Sequence, residues 1–144
     1  MFYIDTNVII YDIIDDSQFG LAAHNLMSKI AAKEIEVCSS VYLFAEIFAT
    51  FRFFKKSTEE IYSYLKDLTI IGISFVDLTP SVLIPALELY REGMKFGDAI
   101  HYKTIQLLGI DQIITENKHF DSLKRIERVS LSQIGHMVGS RRKS

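Results

Sequence analysis

The chain has 144 residues, 49% of them hydrophobic and with ten Phe, enough to build one domain with a sizeable core and too few for a second. A net charge of -2 excludes whole-molecule steering toward nucleic acid or an anionic membrane, so any such contact has to come from a local patch or a bound cation. The single cysteine, Cys38, excludes an internal disulfide and reads as a core thiol, and neither a signal peptide nor a run long enough to span a membrane is present. A soluble, cytoplasmic protein without membrane contact is expected.

In chain order, strand-length apolar runs occur at Phe2 to Ile4, Glu36 to Cys38, Ile73 to Asp77, Gln112 to Thr115 and Arg128 to Leu131. Helices are predicted at roughly Phe19 to Ala32, Val41 to Lys55, Thr58 to Ile70, Ser81 to Glu92 and Asp98 to Leu108. Ser57 or Thr58 ahead of Glu59 and Glu60, Thr79-Pro80, and Gly109 supply start and stop signals. Intervals between the first four strands are long enough for helical crossovers, which predicts an α/β fold with a mainly parallel sheet covered on both faces. The domain is expected over 1–138, with 139–144, which includes Arg141, Arg142 and Lys143, as a basic, frayed tail.

Four polar residues interrupt apolar surroundings. Asp5 ends the first strand, on the side where open α/β sheets bind ligands, although Asp there also serves as a turn residue or cap. Glu46 lies in Tyr42-Leu43-Phe44-Ala45-Glu46-Ile47-Phe48-Ala49, a helix apolar nearly all round and therefore expected to be largely buried. A buried carboxylate costs several kcal/mol unless compensated, so Glu46 needs a metal, a basic partner such as Arg52, or access to water. Arg52 is six residues on and falls on another helix face. Asp98 opens its helix, where an N-cap role is ordinary, and Asn117 follows the fourth strand in a loop.

Together, Asp5-Thr6-Asn7, Glu46, Gly97-Asp98-Ala99-Ile100-His101 and Ile114-Thr115-Glu116-Asn117-Lys118-His119-Phe120 resemble the four motifs of the PIN-domain ribonucleases, and within them the VapC-like toxins. The resemblance implies a three-layer α/β/α PIN-like domain in which Asp5, Glu46 and Asp98 are catalytic and, with Asn117, hold Mg²⁺ or Mn²⁺. Thr6 and Asn7 match the small polar residues that support the first acid. Asn117 stands where the family often has Asp, and Asp121 just beyond it is an alternative donor. Lys103 stands where a small residue is usual, affecting either packing or the charge along an RNA path.

Oxygen donors with no clustered Cys or His suit a hard cation better than zinc, and such a cation would neutralise the pocket for a phosphodiester. The activity implied is RNA hydrolysis leaving a 5′-phosphate and a 3′-hydroxyl. Implied partners are an RNA substrate, a cognate antitoxin at an apolar groove near the first two predicted helices, and a second copy of the chain. The competing readings are a non-catalytic RNA-binding or scaffold domain, which need not bind the cation, and a housekeeping RNA-processing nuclease. Of the histidines, His24, His101, His119 and His136 are read as surface or packing residues, with only His119 near the mouth of the pocket. Arg52, Lys55 and Lys56, interleaved with Phe51, Phe53 and Phe54, form either an RNA rim, a dimer interface or a solvated helix end.

Overall fold

The computed structural model describes residues 1–143, with side chains through residue 137. Its five strands, β1 (Phe2–Ile4), β2 (Val37–Ser40), β3 (Ser74–Val76), β4 (Gln112–Ile114) and β5 (Glu127–Val129), form one sheet in the order β3-β2-β1-β4-β5. All four pairings are parallel, with Tyr3 opposite Cys38 on one side and Ile113 on the other. The chain winds outward from β1 to β3 and then returns to add β4 and β5 at the other flank. Strand order therefore reverses between β1 and β4, and the crevice above their carboxyl ends is where doubly wound sheets bind ligands.

Short β-strands alternate their side chains between faces, and this alternation builds the layers. Phe2, Ile4, Val37 and Ile114 face one core, shared with Val8 and Ile9 of α1 (Thr6–Ile13), Leu26 and Ile30 of α2 (Gly20–Ala31), and Leu43 and Ile47 of α3 (Tyr42–Phe53). Ile61 and Leu68 of α4 (Thr58–Leu68) and Leu131 and Ile134 of α7 (Leu131–Lys143) complete it. Tyr3, Cys38 and Ile113 point the other way, against Ile105 of α6 (Phe96–Leu108). Ala86 of α5 (Pro80–Arg91) joins Ala99 and Ile100 of α6 in a third cluster. The three-layer α/β/α arrangement follows.

Local signals explain most boundaries. Ser57 Oγ accepts from the Glu60 N–H at 3.1 Å and caps α4, Pro80 occupies the first turn of α5, and Gly109 ends α6 in the left-handed conformation at φ 67°. Two helices differ from expectation. α1 follows β1 with no intervening loop, and its Asn7-Val8-Ile9-Ile10-Tyr11 run gives no helical polar face to read, because Thr6, Val8 and Ile9 are all buried. α7 carries helical backbone to Lys143, across most of the segment expected as a tail; side chains from 138 onward lie outside the described residues.

The expectation that α3 is largely buried is corrected. Leu43, Ile47 and Phe51, a stripe four residues apart, are buried, and Tyr42 and Phe44 pack half-buried against the core, while Phe48 is 49% and Phe53 79% exposed. No further layer covers the outer side of this helix among the described residues.

Candidate active site

Asp5 holds the N-cap position of α1, yet its carboxylate makes no capping hydrogen bond. It turns instead to the switch-point crevice, where Oδ2 accepts from Thr115 Oγ1 at 2.7 Å just past β4, and the Asp5 N–H donates to the Ile114 carbonyl at 3.1 Å. Asp5 is 5% exposed, and Oδ1 accepts no hydrogen bond among the described residues. Burial pushes its pKa up, Glu46 and Asp98 add to the shift, and His101 and Thr115 oppose it. A carboxylate held ionised there is destabilising unless something positive approaches.

Glu46 enters from the second turn of α3. Its Oε1 accepts from Thr6 Oγ1 at 2.8 Å and from His101 Nε2 at 2.6 Å, so the basic partner sought in Arg52 is His101. The Glu46 side chain is 27% exposed, which satisfies the water-access alternative as well. Its Oε2 lies where Gly97 leaves room: a Cβ at that position would stand 2.8 Å from the oxygen. Glycine in the Phe96-Gly97-Asp98 turn is thus a close-approach residue rather than a flexible one.

Asp98 lies in the first turn of α6 and does not cap it; the helix begins at Phe96, with Lys95 at the N-cap. The expected N-cap role is therefore replaced by a carboxylate facing the crevice. Its Oδ2 accepts from Asn117 Nδ2 at 3.3 Å, with His119 Nδ1 at 3.9 Å. Asn117 is fixed in turn, because its Oδ1 caps the short 3₁₀ turn Lys118–Ser122 by accepting the His119 N–H at 3.0 Å, and its own N–H donates to Thr115 Oγ1 at 3.0 Å. Asp121, the alternative donor, is exposed and paired with Arg128 at 2.8 Å, which holds its pKa below the usual range.

Asp5, Glu46, Asp98 and Asn117 are thus brought to one crevice, and Thr115 links Asp5 to Asn117. Asn7 joins weakly, with Oδ1 3.5 Å from Thr115 Oγ1. His101 is the residue that sequence reasoning missed. It is fully buried below the acids, with Nδ1 2.6 Å from Tyr3 Oη and Nε2 between Glu46 and Thr6, the latter at 3.2 Å. Burial works against the imidazolium, but the Glu46 hydrogen bond and the charges of Asp5, Glu46 and Asp98 outweigh it, so its pKa lies above the ordinary value. Since a carboxylate only accepts, Nε2 carries the proton toward Glu46. Tyr3 Oη in turn accepts the Ser40 N–H at 3.1 Å, tying the network to the end of β2.

Among the described residues, no three His, Cys, Asp or Glu side chains are grouped so as to hold a metal ion between them. The donor chemistry nevertheless fits a hard cation, because Asp5, Asp98 and Glu46 each keep one carboxylate oxygen without a hydrogen bond among the described residues. An ion held through one or two carboxylates, with water and phosphate completing its shell, suits this set better than an all-protein cage. Three basic residues singled out in the sequence lie elsewhere: Arg52 lines a groove with Phe44, Phe48 and Tyr62, Lys56 lines a hollow with Glu59 and Glu60, and Lys103 reaches over the Tyr102 ring at 5.5 Å.

Residues 2–126 match the model of the PIN domain. The chain belongs to the PIN domain family. Members of this family are nucleases. Solved structures of similar fold include VapC20 of Mycobacterium tuberculosis, a toxin cleaving the sarcin-ricin loop, with TM-score 0.67 and 14% identity over 88% of this chain and 99% of that one. VapBC2 from Rickettsia felis, bound to a DNA fragment of its promoter, gives 0.64 and 17% over 90% and 98%. A toxin-antitoxin complex from Klebsiella pneumoniae gives 0.60 and 17% over 88% and 96%. No curated protein matches the chain in sequence.

Proposed function

We propose that this PIN domain is a Mg²⁺- or Mn²⁺-dependent ribonuclease and the toxin of a toxin-antitoxin pair. The observation that carries the reading is Asp5: a buried carboxylate at the switch point, unused as a cap and pushed toward neutrality, with Asp98 and Glu46 beside it. Asp5 and Asp98 would hold the cation. When bound, it supplies charge neutralisation and polarises the phosphodiester.

The chain's own side chains do the rest. Glu46, anchored through Oε1 by Thr6 and His101, keeps Oε2 free to orient a water and take its proton. The water oxygen bonds to phosphorus as the P–O3′ bond breaks, leaving a 5′-phosphate and a 3′-hydroxyl that gains a proton from solvent. Asn117 holds Asp98 in place, and Thr115 does the same for Asp5. His101 is a positioning residue for Glu46.

The toxin assignment rests on the fold likeness to VapC20 and to the two toxin-antitoxin complexes. A cognate antitoxin would silence the free enzyme, and exposed Phe48, Phe53 and Phe54 offer apolar surface for it or for a second copy of the chain. Labelled structured and single-stranded RNAs, incubated with the purified protein in Mg²⁺, Mn²⁺ or EDTA, test the reading. Metal-dependent cleavage that disappears in Asp5→Asn is expected. Cleavage that persists in EDTA or in Asp5→Asn overturns it.

A further inference from the structure

Beside Asp98 opens a hollow of about 410 Å³, a volume within the roughly 300–1,000 Å³ typical of small-ligand sites. Its lining combines apolar Met94, Leu123 and buried Phe120 with the exposed cationic or polar side chains Lys95 and His119, and it shares Asp98 with the acidic crevice. Lys95, at the N-cap position of α6, is exposed. His119, 72% exposed in its side chain, stands 3.9 Å from Asp98 Oδ2. The hollow therefore adjoins the acidic crevice at Asp98, and its apolar side chains lie beside Lys95 and His119 on one hand and the carboxylates of Glu92 and Asp98 on the other.

We propose that this hollow is the subsite for the nucleoside next to the scissile phosphate, with its base against Met94 and Leu123 and its phosphate toward Lys95 and His119. The assignment rests on the nuclease reading and deepens it. Few apolar residues with a small number of polar groups at one edge match how such sites fix a flat heterocycle and its charged end. The compact Lys ammonium is a point-charge phosphate donor, and the imidazole adds a planar N–H. Cytidine 5′-monophosphate, which carries one flat base and one phosphate, is a suitable probe.

The test is a titration of the full-length protein with cytidine 5′-monophosphate in Mg²⁺, followed by amide ¹H–¹⁵N spectra, with inorganic phosphate as a parallel arm. Saturable shifts at Met94, Lys95, His119 and Leu123 are expected, larger with the nucleotide than with phosphate. Lys95→Gln, an exposed change that leaves the core intact, should weaken binding by about tenfold, as loss of one charge-assisted contact predicts. Shifts that map elsewhere, an unchanged affinity in Lys95→Gln, or equal responses to phosphate alone would overturn the subsite. Cleavage of RNA with nucleotide shifts elsewhere removes the subsite and leaves the nuclease standing. Nucleotide seated here in a protein that cleaves no RNA refutes the nuclease reading instead.

Discussion

The carboxyl end of the sheet and the outer face of α3 invert the usual distribution of side chains in opposite ways. At the sheet end, Asp5, Thr6, His101 and Thr115 are buried, and among the described residues no buried side-chain polar atom lacks a hydrogen-bond partner. On α3, Phe48 and Phe53 stand in solvent. Thr6, His101 and Thr115, buried with partners, fix geometry at little cost and Asp5 is the costly exception, whereas exposed aromatics offer surface. On the proposed function the first pattern serves chemistry and the second association, and Glu46 and the exposed rings sit on one helix.

Removing one of the proposed catalytic acids should give the largest effect. Asp5→Asn or Asp98→Asn is expected to lower the rate of metal-dependent RNA cleavage by about two orders of magnitude or more, the scale of losing several kcal/mol of transition-state stabilisation. Asp5→Asn should at the same time raise the melting temperature by about 2–4 °C, because the folded protein no longer keeps a desolvated carboxylate. Loss of both activity and stability, measured by calorimetry, would mean that Asp5 is structural and would collapse the contrast between the two regions.

His101→Ala should cost about 2–4 kcal/mol in urea unfolding and about 10–100-fold in activity, since it opens a cavity and strips a partner from Tyr3 and Glu46. Gly97→Ala separates the two effects. Its Cβ would meet Glu46 Oε2 at 2.8 Å, so activity should fall by about tenfold or more, while stability should change by less than about 1 kcal/mol because the contact is with a side-chain end in the first helical turn. An active Gly97→Ala variant of unchanged stability would show that Glu46 is not where the chemistry needs it.

The sequence announced Asp5, Asp98 and Asn117 because each ends or follows an apolar strand or opens a helix, and strand ends are local features. It identified Glu46 for a partly mistaken reason. An apolar helix implies burial all round, whereas Leu43, Ile47 and Phe51 are buried, Tyr42 and Phe44 are half-buried, and Phe48 and Phe53 face out. His101 stayed hidden because its role is set by Tyr3 and Glu46, 98 and 55 residues away in sequence, and no local spacing records such contacts. α1 was missed for the same cause: burial on the sheet, not a polar face, makes those residues a helix.

Surface changes should give the smallest effects. Phe53→Ser with Phe54→Ser is expected to leave unfolding within about 0.5 kcal/mol while reducing self-association in sedimentation; a large stability loss would show that these rings are core. Cys38 offers a control on the opposite face of the sheet. Burial pushes its thiol up to about 11, so alkylation at pH 8 should run on the order of 100-fold slower than in the unfolded chain.

Calorimetric titration with Mn²⁺ tests the central claim most directly, comparing the native protein with Asp5→Asn and Asp98→Asn. A saturable site in the native protein that either substitution abolishes is the predicted result. Equal Mn²⁺ binding by all three proteins, or none by the native one, would contradict the assignment of Asp5 and Asp98 as the residues that hold the cation.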